Sequence, residues 1–384
     1  MLLMKGFFMK KEVKVIFHID LNAFFASCAI IKEPRLLDKP FVVGRGNNSN
    51  RGIVTTASYP ARKYGIRSGM SIADAKRLCR ELLVVPGEYN LYKKHSDIFF
   101  NFLKKYSNIL IAGSIDEAYI DMTEISRTRN VLEVAKDIQD TLYSEYQLPV
   151  SIGISSTLFL AKMASDMKKP LGITVLRKKE LTKTLFLLPI ADMYGIGKKT
   201  YPKLENIGIK TIGDFTKSTN KDKILTIMSE SSYQSYIECV MGRSNDKIDP
   251  ILHSMPKSIS TETTFPYART GIEVIEPEIK LLTQEIYEKL KKEEMKARTF
   301  GIRLKDTNFI ITNRSKTVIT YTDDFEEIYD IIFEILENCL KDKEVRLIGV
   351  FFKELIMIKD LKEDYNLFTY QELTKREKNL FNKK

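Results

Sequence analysis

Two hydrophobic segments of this 384-residue chain each run into acidic residues, and this pattern constrains the fold most. The segment VKVIFHID, residues 13–20, predicts a buried strand that ends at Asp20. The segment ILIAGSIDEAYIDM, residues 109–122, is interrupted between Ser114 and Glu117 and then resumes. That interruption predicts a strand, a tight turn and a second strand. The sequence therefore predicts carboxylates at the ends of buried strands.

Carboxylates in such positions suggest a bound divalent cation. Two carboxylates about 4 Å apart repel by roughly 4 kcal/mol at an effective dielectric constant near 20. A pair of Mg²⁺ ions turns this repulsion into attraction, and such a pair drives in-line displacement at phosphorus. The alternative is that Asp20, Asp116 and Glu117 are ordinary turn and strand-end acids. These three residues alone do not decide between the two.

The charge balance favours a polyanionic partner. The chain has 61 Lys and Arg against 50 Asp and Glu, a net charge of +11, which fits nucleic acid better than a membrane. A genome that favours Lys, Ile and Asn would explain part of this excess. A hydrophobic fraction of 43% over 384 residues suffices for a sizeable core, and the length predicts more than one domain.

The cysteines and the N-terminal segment favour a cytoplasmic protein. Four scattered cysteines without a CxxC pair predict neither a zinc site nor a disulfide framework; they are Cys28, Cys79, Cys239 and Cys339. The opening MLLMKGFFMKK is short and lacks a small-residue cleavage site, which argues against a secretory signal. No stretch approaches the roughly 20 apolar residues that span a bilayer, so no membrane partner is expected.

Strands and helices mix in the first half of the chain without a strict βαβ repeat, which predicts an α+β core. Helices are expected over 88–107, near 130–145 and over 157–168, with a strand at 150–155. Residues 177–243 predict short helices broken by glycines, and Pro202 falls early in one of them.

The last part of the chain predicts a separate domain after a linker at 244–256. Residues 257–356 follow the order β-α-β-β-α-β, a self-contained split fold. Pro277 is expected in the first turn of its first helix. Residues 357–384 form a charged tail, which we expect to be mobile.

Groups that suit a triphosphate follow the first segment. In TTASYPARKYGIRSGM, Arg62 offers a planar five-donor guanidinium and Tyr59 adds a hydroxyl. Lys169, in ASDMKKPLG, follows a predicted helix and could hold a triphosphate tail as a point charge. The alternative for each of these residues is a solvated surface side chain.

Two further features suit a DNA backbone. The Gly195-Ile196-Gly197 turn, followed by Lys198, could grip a phosphate through backbone N–H groups, although glycines also end many helices. Cations lie on or beside the strands of the last domain, where a sheet face free of helices could present them to a duplex. They are Lys257, Arg298, Arg303, Lys305, Arg314, Lys316 and Arg346. The alternative is a basic sheet that only improves solubility.

Taken together, these segments resemble a Y-family (translesion) DNA polymerase of the DNA polymerase IV type. The resemblance extends over about 340 residues. Its motifs occur in order: IDLNAFFAS, TTASYPARKYGIRSGM, IAGSIDEAYID, SIGIS, AKMASDMKKPLGI, YGIGKKT, KSISTETTF and VRLIGV. One motif would be a coincidence, whereas eight in this order are specific.

The resemblance implies a right-hand-like polymerase that adds nucleotides past damaged bases, as a monomer. Its palm would comprise 11–22 and 84–176, and its fingers 23–83. The thumb, with a helix-hairpin-helix, would comprise 177–243, and the little finger 257–356. Primer-template DNA and dNTPs are the implied partners, and two Mg²⁺ ions the implied cofactor.

The resemblance also implies roles for individual residues. Asp20 and Asp116 would bridge both metal ions, Glu117 would serve the catalytic one, and Leu21 would offer its carbonyl to the nucleotide-bound ion. The triphosphate contacts would be Tyr59, Arg62 and Lys169, with Thr56 a weaker match. Phe25, beside Phe24, would be the steric gate that clashes with a 2′-hydroxyl, although plain core packing explains Phe25 equally well. Gly195, Gly197, Lys198 and the sheet cations would contact DNA.

Some positions depart from the family pattern. Asn22 replaces the second acid of the first motif, as in the UmuC-like branch; that acid is not a necessary ligand. The family's clamp-binding peptide corresponds to Asp364-Tyr365-Asn366-Leu367-Phe368, which lacks the usual glutamine. Leu367 and Phe368 could still fill a pocket on a sliding clamp.

Two alternatives use the same residues differently. One is a DNA-binding accessory protein on a degenerate polymerase scaffold with no turnover. The intact acidic trio argues against it, because a dead site has no need of clustered charge. The other is a palm-type nucleotidyl cyclase, in which the basic C-terminal sheet and the hairpin would be superfluous.

Overall fold

The computed structural model describes residues 13–44, 52–244, 248–250, 255–341 and 343–361. Its contacts divide the chain into two units, Met1–His253 and Ser254–Lys384. The predicted α+β class is confirmed. The predicted boundaries of palm, fingers, thumb and linker stay predictions.

The strands of the first unit are β1 (Ile16–Leu21), β2 (Phe41–Gly44), β3 (Thr56–Ala57), β4 (Leu83–Pro86), β5 (Leu110–Ala112), β6 (Glu117–Asp121), β7 (Val150–Ser155) and β8 (Ile173–Val175). Those of the second unit are β9 (Ser258–Arg269), β10 (Met295–Asp306), β11 (Ile311–Thr322) and β12 (Val345–Met357).

The helices of the first unit are α1 (Phe24–Lys32), α2 (Tyr59–Lys63), α3 (Ile72–Leu78), α4 (Tyr89–Leu103), α5 (Val131–Tyr146), α6 (Leu158–Asp166), α7 (Tyr201–Asn206), α8 (Ile212–Thr216), α9 (Lys221–Leu225) and α10 (Glu230–Val240). Those of the second unit are α11 (Ile272–Lys292) and α12 (Phe325–Leu340). No helix in the described ranges is long and apolar enough to cross a membrane.

A five-stranded sheet of order β5-β6-β1-β7-β8 positions the acidic residues. Its central strand β1 is buried along its whole length and pairs antiparallel with both β6 and β7. The register sets Asp20 directly opposite Glu117. The backbone N–H of Leu21 donates to the carbonyl of Asp116 at 3.0 Å. The end of β1 therefore lies beside the turn that precedes β6.

Helix α6 packs closely on β7 because Gly153 has no side chain. A Cβ at Gly153 would lie 2.0 Å from the carbonyl oxygen of Ala161 and 2.3 Å from the amide of Ser165. The hydroxyl of Thr157 accepts a hydrogen bond from the N–H of Leu160 and caps the helix. This packing brings the side chains of α6 to the end of β1.

A smaller sheet of order β3-β2-β4 carries Thr56 at the start of β3. Helix α2 follows, and Ser58 caps it by accepting a hydrogen bond from the N–H of Ala61. Tyr59 and Arg62 lie on this helix, so the cap helps to fix the positions of both residues.

The segment that follows β8 is built from short helices, as the sequence predicts. Pro202 lies in the first turn of α7, where its missing N–H costs no helical hydrogen bond. Thr211 and Asp214 form a reciprocal capping box at the start of α8.

The second unit has the predicted β-α-β-β-α-β order, with an antiparallel sheet of order β11-β10-β12-β9. Helices α11 and α12 cover one face, where Ile279, Ile332 and Phe300 belong to a common buried core. The prediction for Pro277 is wrong: α11 begins at Ile272, so Pro277 lies inside the helix. Its ring removes the bond to the carbonyl of Glu273, and the surrounding core holds the helix together nonetheless.

Candidate active site

The predicted acids meet at one end of the central sheet. Asp20 is 6% exposed at the end of β1, and Asp116 lies half-buried in the turn before β6. Glu117 opens β6 opposite Asp20. Adjacent like charges destabilise a pair of strands, so this cluster requires compensation.

An open cavity of about 180 Å³ lies against two of these acids. Its lining combines them with the hydroxyl and cationic groups that the sequence predicts for a triphosphate. The lining residues are Asp20, Leu21, Asn22, Ala23, Phe24, Thr56, Tyr59, Arg62, Asp116 and Lys169. Glu117 and Phe25 are not among them. The fold thus brings segments 20–24, 56–62, 116 and 169 to one cleft.

Two lysines form ion pairs with Asp20 and Glu117. Lys169 donates to Asp20 at 2.6 Å and contacts Asp166 at 2.7 Å. Lys162 contacts Glu117 at 2.6 Å, Asp20 at 3.3 Å and Asp166 at 3.3 Å. Lys169 was expected from the sequence, whereas Lys162 and Asp166 were not. Their signal is the spacing of four residues, which places Lys162 and Asp166 on one face of α6, with Lys169 in the turn that follows.

Burial dominates the electrostatics of the acids. It raises the pKa of Asp20, an effect that the adjacent Glu117 strengthens and the two lysines oppose. Burial likewise raises the pKa of Asp116, against the hydrogen bond from Ser114, and the charge of Asp20 adds to the rise. Asp166 is also desolvated, but Lys162 and Lys169 hold its pKa below the usual range.

His18 lies beneath the cluster and was not predicted. It is fully buried on β1, and its Nδ1 lies 2.8 Å from the hydroxyl of Ser165 on α6. Burial lowers the pKa of His18 to about 3, with a further contribution from Lys162. The imidazole is therefore neutral at neutral pH, and its packing joins β1 to α6.

Asn22 anchors the loop that carries Lys169. Its Nδ2 donates to the hydroxyl of Ser151 at 2.9 Å, and its Oδ1 accepts from the N–H of Leu171 at 2.8 Å. Leu171 has a positive φ of 61°, a conformation that needs such support. Asn22, which departs from the family pattern, thus has a structural function here.

Tyr59 and Arg62 suit an anionic ligand. The hydroxyl of Tyr59 is buried with no hydrogen-bond partner within the described part of the chain, a costly arrangement. The guanidinium of Arg62 lies over the Tyr59 ring at 4.9 Å and donates through Nε to the carbonyl of Ala57 at 3.0 Å. A phosphate oxygen would satisfy the Tyr59 hydroxyl and meet a cation already fixed in place.

Phe25 is half-buried beside the site. Its ring stacks on Tyr92 with centroids 4.2 Å apart, while Phe24 is buried and lines the cavity. The stack fixes the position of the Phe25 ring.

The donor set fits Mg²⁺ in its chemistry. Carboxylates and a backbone carbonyl are the hard oxygen ligands that this ion takes, and Asp20, Leu21 and Asp116 supply them around the cavity. Glu117 is bound to Lys162 instead. Consistent with this, the described residues contain no cluster of three or more His, Cys, Asp or Glu side chains arranged to hold a metal ion.

The hairpin residues lie in the segment between β8 and α7. Gly195 has a φ of 90°, and its carbonyl accepts a hydrogen bond from the Tyr236 hydroxyl at 2.9 Å. A Cβ at Gly197 would meet nothing within 4 Å, and Lys198 is exposed. The backbone at Gly197 is therefore open to a ligand.

Most of the predicted cations of the second unit are exposed, but they do not share one face. Arg303 pairs with Glu262 at 3.1 Å, and Arg298 with Glu354 at 2.5 Å.

Lys316 instead reaches Glu334 of α12 at 2.6 Å. Arg314 lies directly opposite buried Ile302 in the register, so it shares the helix-covered side with Lys316. The expectation that the uncovered face presents all of these cations is wrong for these two residues. Lys257 is exposed just before β9.

The clamp-binding candidates Leu367 and Phe368 lie outside the described residues.

Comparison with known proteins gives a consistent result. The impB/mucB/samB family matches residues 19–166, and the C-terminal domain of the same family matches residues 256–364. DNA polymerase IV of Bacillus velezensis is 35% identical over 364 residues, which cover 95% of this chain and 87% of that protein. DNA polymerase IV of Alkaliphilus oremlandii is 37% identical over 369 residues, which cover 94% of this chain and 91% of that protein.

Solved structures agree with the sequence relatives. A Y-family DNA polymerase chimera of Dbh and Dpo4 superposes with a TM-score of 0.79 at 26% identity, covering 89% of this chain and 99% of that one. An insertion ternary complex of Dbh DNA polymerase gives a TM-score of 0.66 at the same identity and coverage.

Proposed function

Since this chain belongs to the impB/mucB/samB family of Y-family DNA polymerases and is a DNA-directed DNA polymerase with a general role in translesion synthesis, we propose that it extends primers by two-metal nucleotidyl transfer past damaged template bases. Its substrates are dNTPs and primer-template DNA. The reaction joins the primer 3′-hydroxyl to the α-phosphorus of the dNTP and releases pyrophosphate.

One observation carries this proposal. Asp20 and Asp116 line the same cavity as Tyr59, Arg62 and Lys169. Oxygen ligands for a cation and donors for a polyphosphate therefore converge on one cleft. A non-catalytic DNA-binding scaffold would have no use for this combination.

Each residue has a role that follows from its position. Divalent cations, when bound, would activate the primer hydroxyl and neutralise charge on the phosphates. Asp20, Asp116 and Glu117 would hold these cations, together with the carbonyl of Leu21. Tyr59 and Arg62 would bind and orient the triphosphate, with Thr56 beside them. Lys169 would exchange Asp20 for a phosphate oxygen of the substrate.

Phe25 is proposed as the sugar discriminator. Its ring is held by the stack on Tyr92, so it would resist displacement by a 2′-hydroxyl. We expect Phe25→Ala to admit ribonucleotides, measured as the ratio of kcat/KM for dNTP and rNTP. A ratio equal to that of the wild type would show that Phe25 serves only in core packing and does not select the sugar.

Contacts outside the cleft would hold the nucleic acid. The open backbone at Gly197 and the exposed Lys198 would contact one phosphate. Arg298 and Arg303 on the uncovered side of the second unit's sheet, together with Lys257 just before β9, would contact others. We further propose that a monomer works on DNA, and that Leu367 and Phe368 dock on a sliding clamp.

The test is primer extension in Mg²⁺ on intact and damaged templates. We expect Asp116→Ala to lower extension by roughly 10³-fold or more while duplex binding, measured by fluorescence anisotropy, persists. The control is Asp140→Ala, which removes an exposed carboxylate of α5 paired with Lys136 at 2.6 Å; it should extend normally. Wild-type extension by Asp116→Ala would contradict the proposal.

A further inference from the structure

Lys162 is a buried lysine that contacts the acids but does not line the cavity. The residue is 8% exposed, and it is absent from the cavity lining, which includes Lys169. Its ammonium lies between Glu117, Asp20 and Asp166, with contacts of 2.6, 3.3 and 3.3 Å. Lys162 therefore faces the acids from the protein side, whereas Lys169 faces them from the cleft.

The fold is built to bring this ammonium close to the acids. Lys162 follows Ala161, whose carbonyl would clash with any side chain at Gly153. The hydrogen bond between His18 and Ser165 fixes the same helix to β1 at 2.8 Å. Two independent contacts thus hold α6 close enough to the sheet for Lys162 to reach acids on both β1 and β6.

The charges explain why a cation is needed there. Asp20 and Glu117 are directly opposite on antiparallel strands, an arrangement in which like charges repel. The Lys162 ammonium contacts both of these acids and Asp166, so its positive charge opposes the repulsion at short range. The ammonium thus binds the acids that would otherwise take up a metal ion.

We propose that Lys162 is an internal counter-ion of the catalytic acids, which stabilises the metal-free protein and lowers its affinity for divalent cations. This inference rests on the proposed function, since it takes Asp20 and Glu117 as metal ligands. With a cation bound, Glu117 would hold the metal ion in place of Lys162, and Asp166 would keep the ammonium paired. Lys162 acts through the acids and is a positioning residue.

The test uses Lys162→Met in the full chain without DNA or nucleotide. Mn²⁺ binding is followed by loss of the free-ion electron paramagnetic resonance signal, and stability by urea unfolding in a chelator. We expect Mn²⁺ affinity to rise by roughly tenfold or more, because a unit charge at contact distance is removed. We also expect the metal-free protein to unfold at lower urea. Lys136→Met, which removes an exposed lysine paired with Asp140, should change neither reading.

A second variant covers the case in which Lys162→Met does not fold. In Glu117→Gln/Lys162→Met one acid is removed with the lysine, so charge balance is restored. We expect this double variant to fold and to have a metal-free stability close to that of Glu117→Gln. A double variant that fails to fold while Glu117→Gln folds would contradict the role of counter-ion.

The outcomes separate this inference from the proposed function. Loss of Mn²⁺ binding in Asp116→Ala, with unchanged affinity in Lys162→Met, would overturn only the inference. Unchanged Mn²⁺ binding in Asp116→Ala would place the ion elsewhere and overturn the proposed metal site. Mn²⁺ binding to neither the wild type nor Lys162→Met would also overturn the inference, since removal of the lysine is expected to open the site.

Discussion

The two units of the chain use charge in opposite ways. In the first unit, the side chains of Asp20 and Lys162 are 9% and 10% exposed, and each pairs with more than one opposite charge. In the second unit, Arg303 and its partner Glu262 are 45% and 47% exposed and form a simple pair. The buried charges of the first unit are held in one geometry. The exposed charges of the second unit can exchange their partners for solvent or a ligand.

Burial explains the difference. Removing one partner of a buried ion pair costs about 3–5 kcal/mol because the other charge stays desolvated. An exposed pair contributes about 0–1 kcal/mol. The buried cluster is therefore suited to fixing a reaction geometry, and the exposed cations to a sliding contact with DNA phosphates. Three substitutions would sharpen or break this comparison.

The largest effect is expected from Gly153→Ala. The new Cβ would lie 2.0 Å from the carbonyl oxygen of Ala161, so α6 must move and take Lys162 with it. We expect a loss of about 3 kcal/mol in the free energy of unfolding and a marked fall in primer extension. Gly87→Ala is the control, because its Cβ would find ordinary contacts at 3.7 Å. Equal stability of the two variants would show that α6 is not fixed by this contact.

A smaller, pH-dependent effect is expected from Asp214→Asn. Hydrogen bonds from Lys217 and Thr211 hold the pKa of Asp214 at about 2. Since this pKa is lower than in the unfolded chain, the carboxylate stabilises the fold above pH 3.8, and this contribution is lost as the pH falls toward about 2. We expect Asp214→Asn to cost about 1 kcal/mol at neutral pH and progressively less in acid. Urea unfolding at several pH values measures the difference.

The control for that experiment is Asp97→Asn, which alters an exposed pair with Lys93 at 3.3 Å. Its effect should stay within about 0.5 kcal/mol at every pH. A cost for Asp214→Asn that does not decline in acid would show that the capping contacts, and not the charge, stabilise α8.

The smallest effect is expected from Arg303→Ala. Loss of one phosphate contact should weaken duplex binding roughly threefold and lower the slope of log affinity against log salt by about 0.9. Lys316→Ala should have less effect, since its ammonium reaches Glu334 on the helix-covered side. Fluorescence anisotropy over a salt series distinguishes the two. A larger effect for Lys316→Ala would mean that DNA approaches the opposite side of the sheet.

The sequence predicted those features that depend on local patterns. Apolar runs that end in acids located β1 and β6, and their pairing places Asp20 opposite Glu117. Regular apolar spacing located α11 and α12. The start of α11 was wrong because tertiary packing tolerates Pro277 within the helix.

Features that depend on packing between distant segments could not be predicted. Nothing in the segment VSIGIS indicates that Gly153 allows α6 to pack closely on β7. The contact between Lys162 and Glu117 therefore could not be predicted from the sequence. The same holds for the bond between Asn22 and Leu171, which are 149 residues apart. The face on which Lys316 lies depends on the strand register, in which it pairs with Phe300.

The central claim is that Asp20 and Asp116 hold divalent cations beneath an incoming nucleotide. Anomalous scattering from Mn²⁺, in crystals with primer-template DNA and a non-hydrolysable dNTP, tests it most directly. We predict anomalous peaks between the Asp20 and Asp116 carboxylates and the triphosphate. A bound nucleotide in this cleft, with Mn²⁺ absent from both carboxylates, would contradict the account.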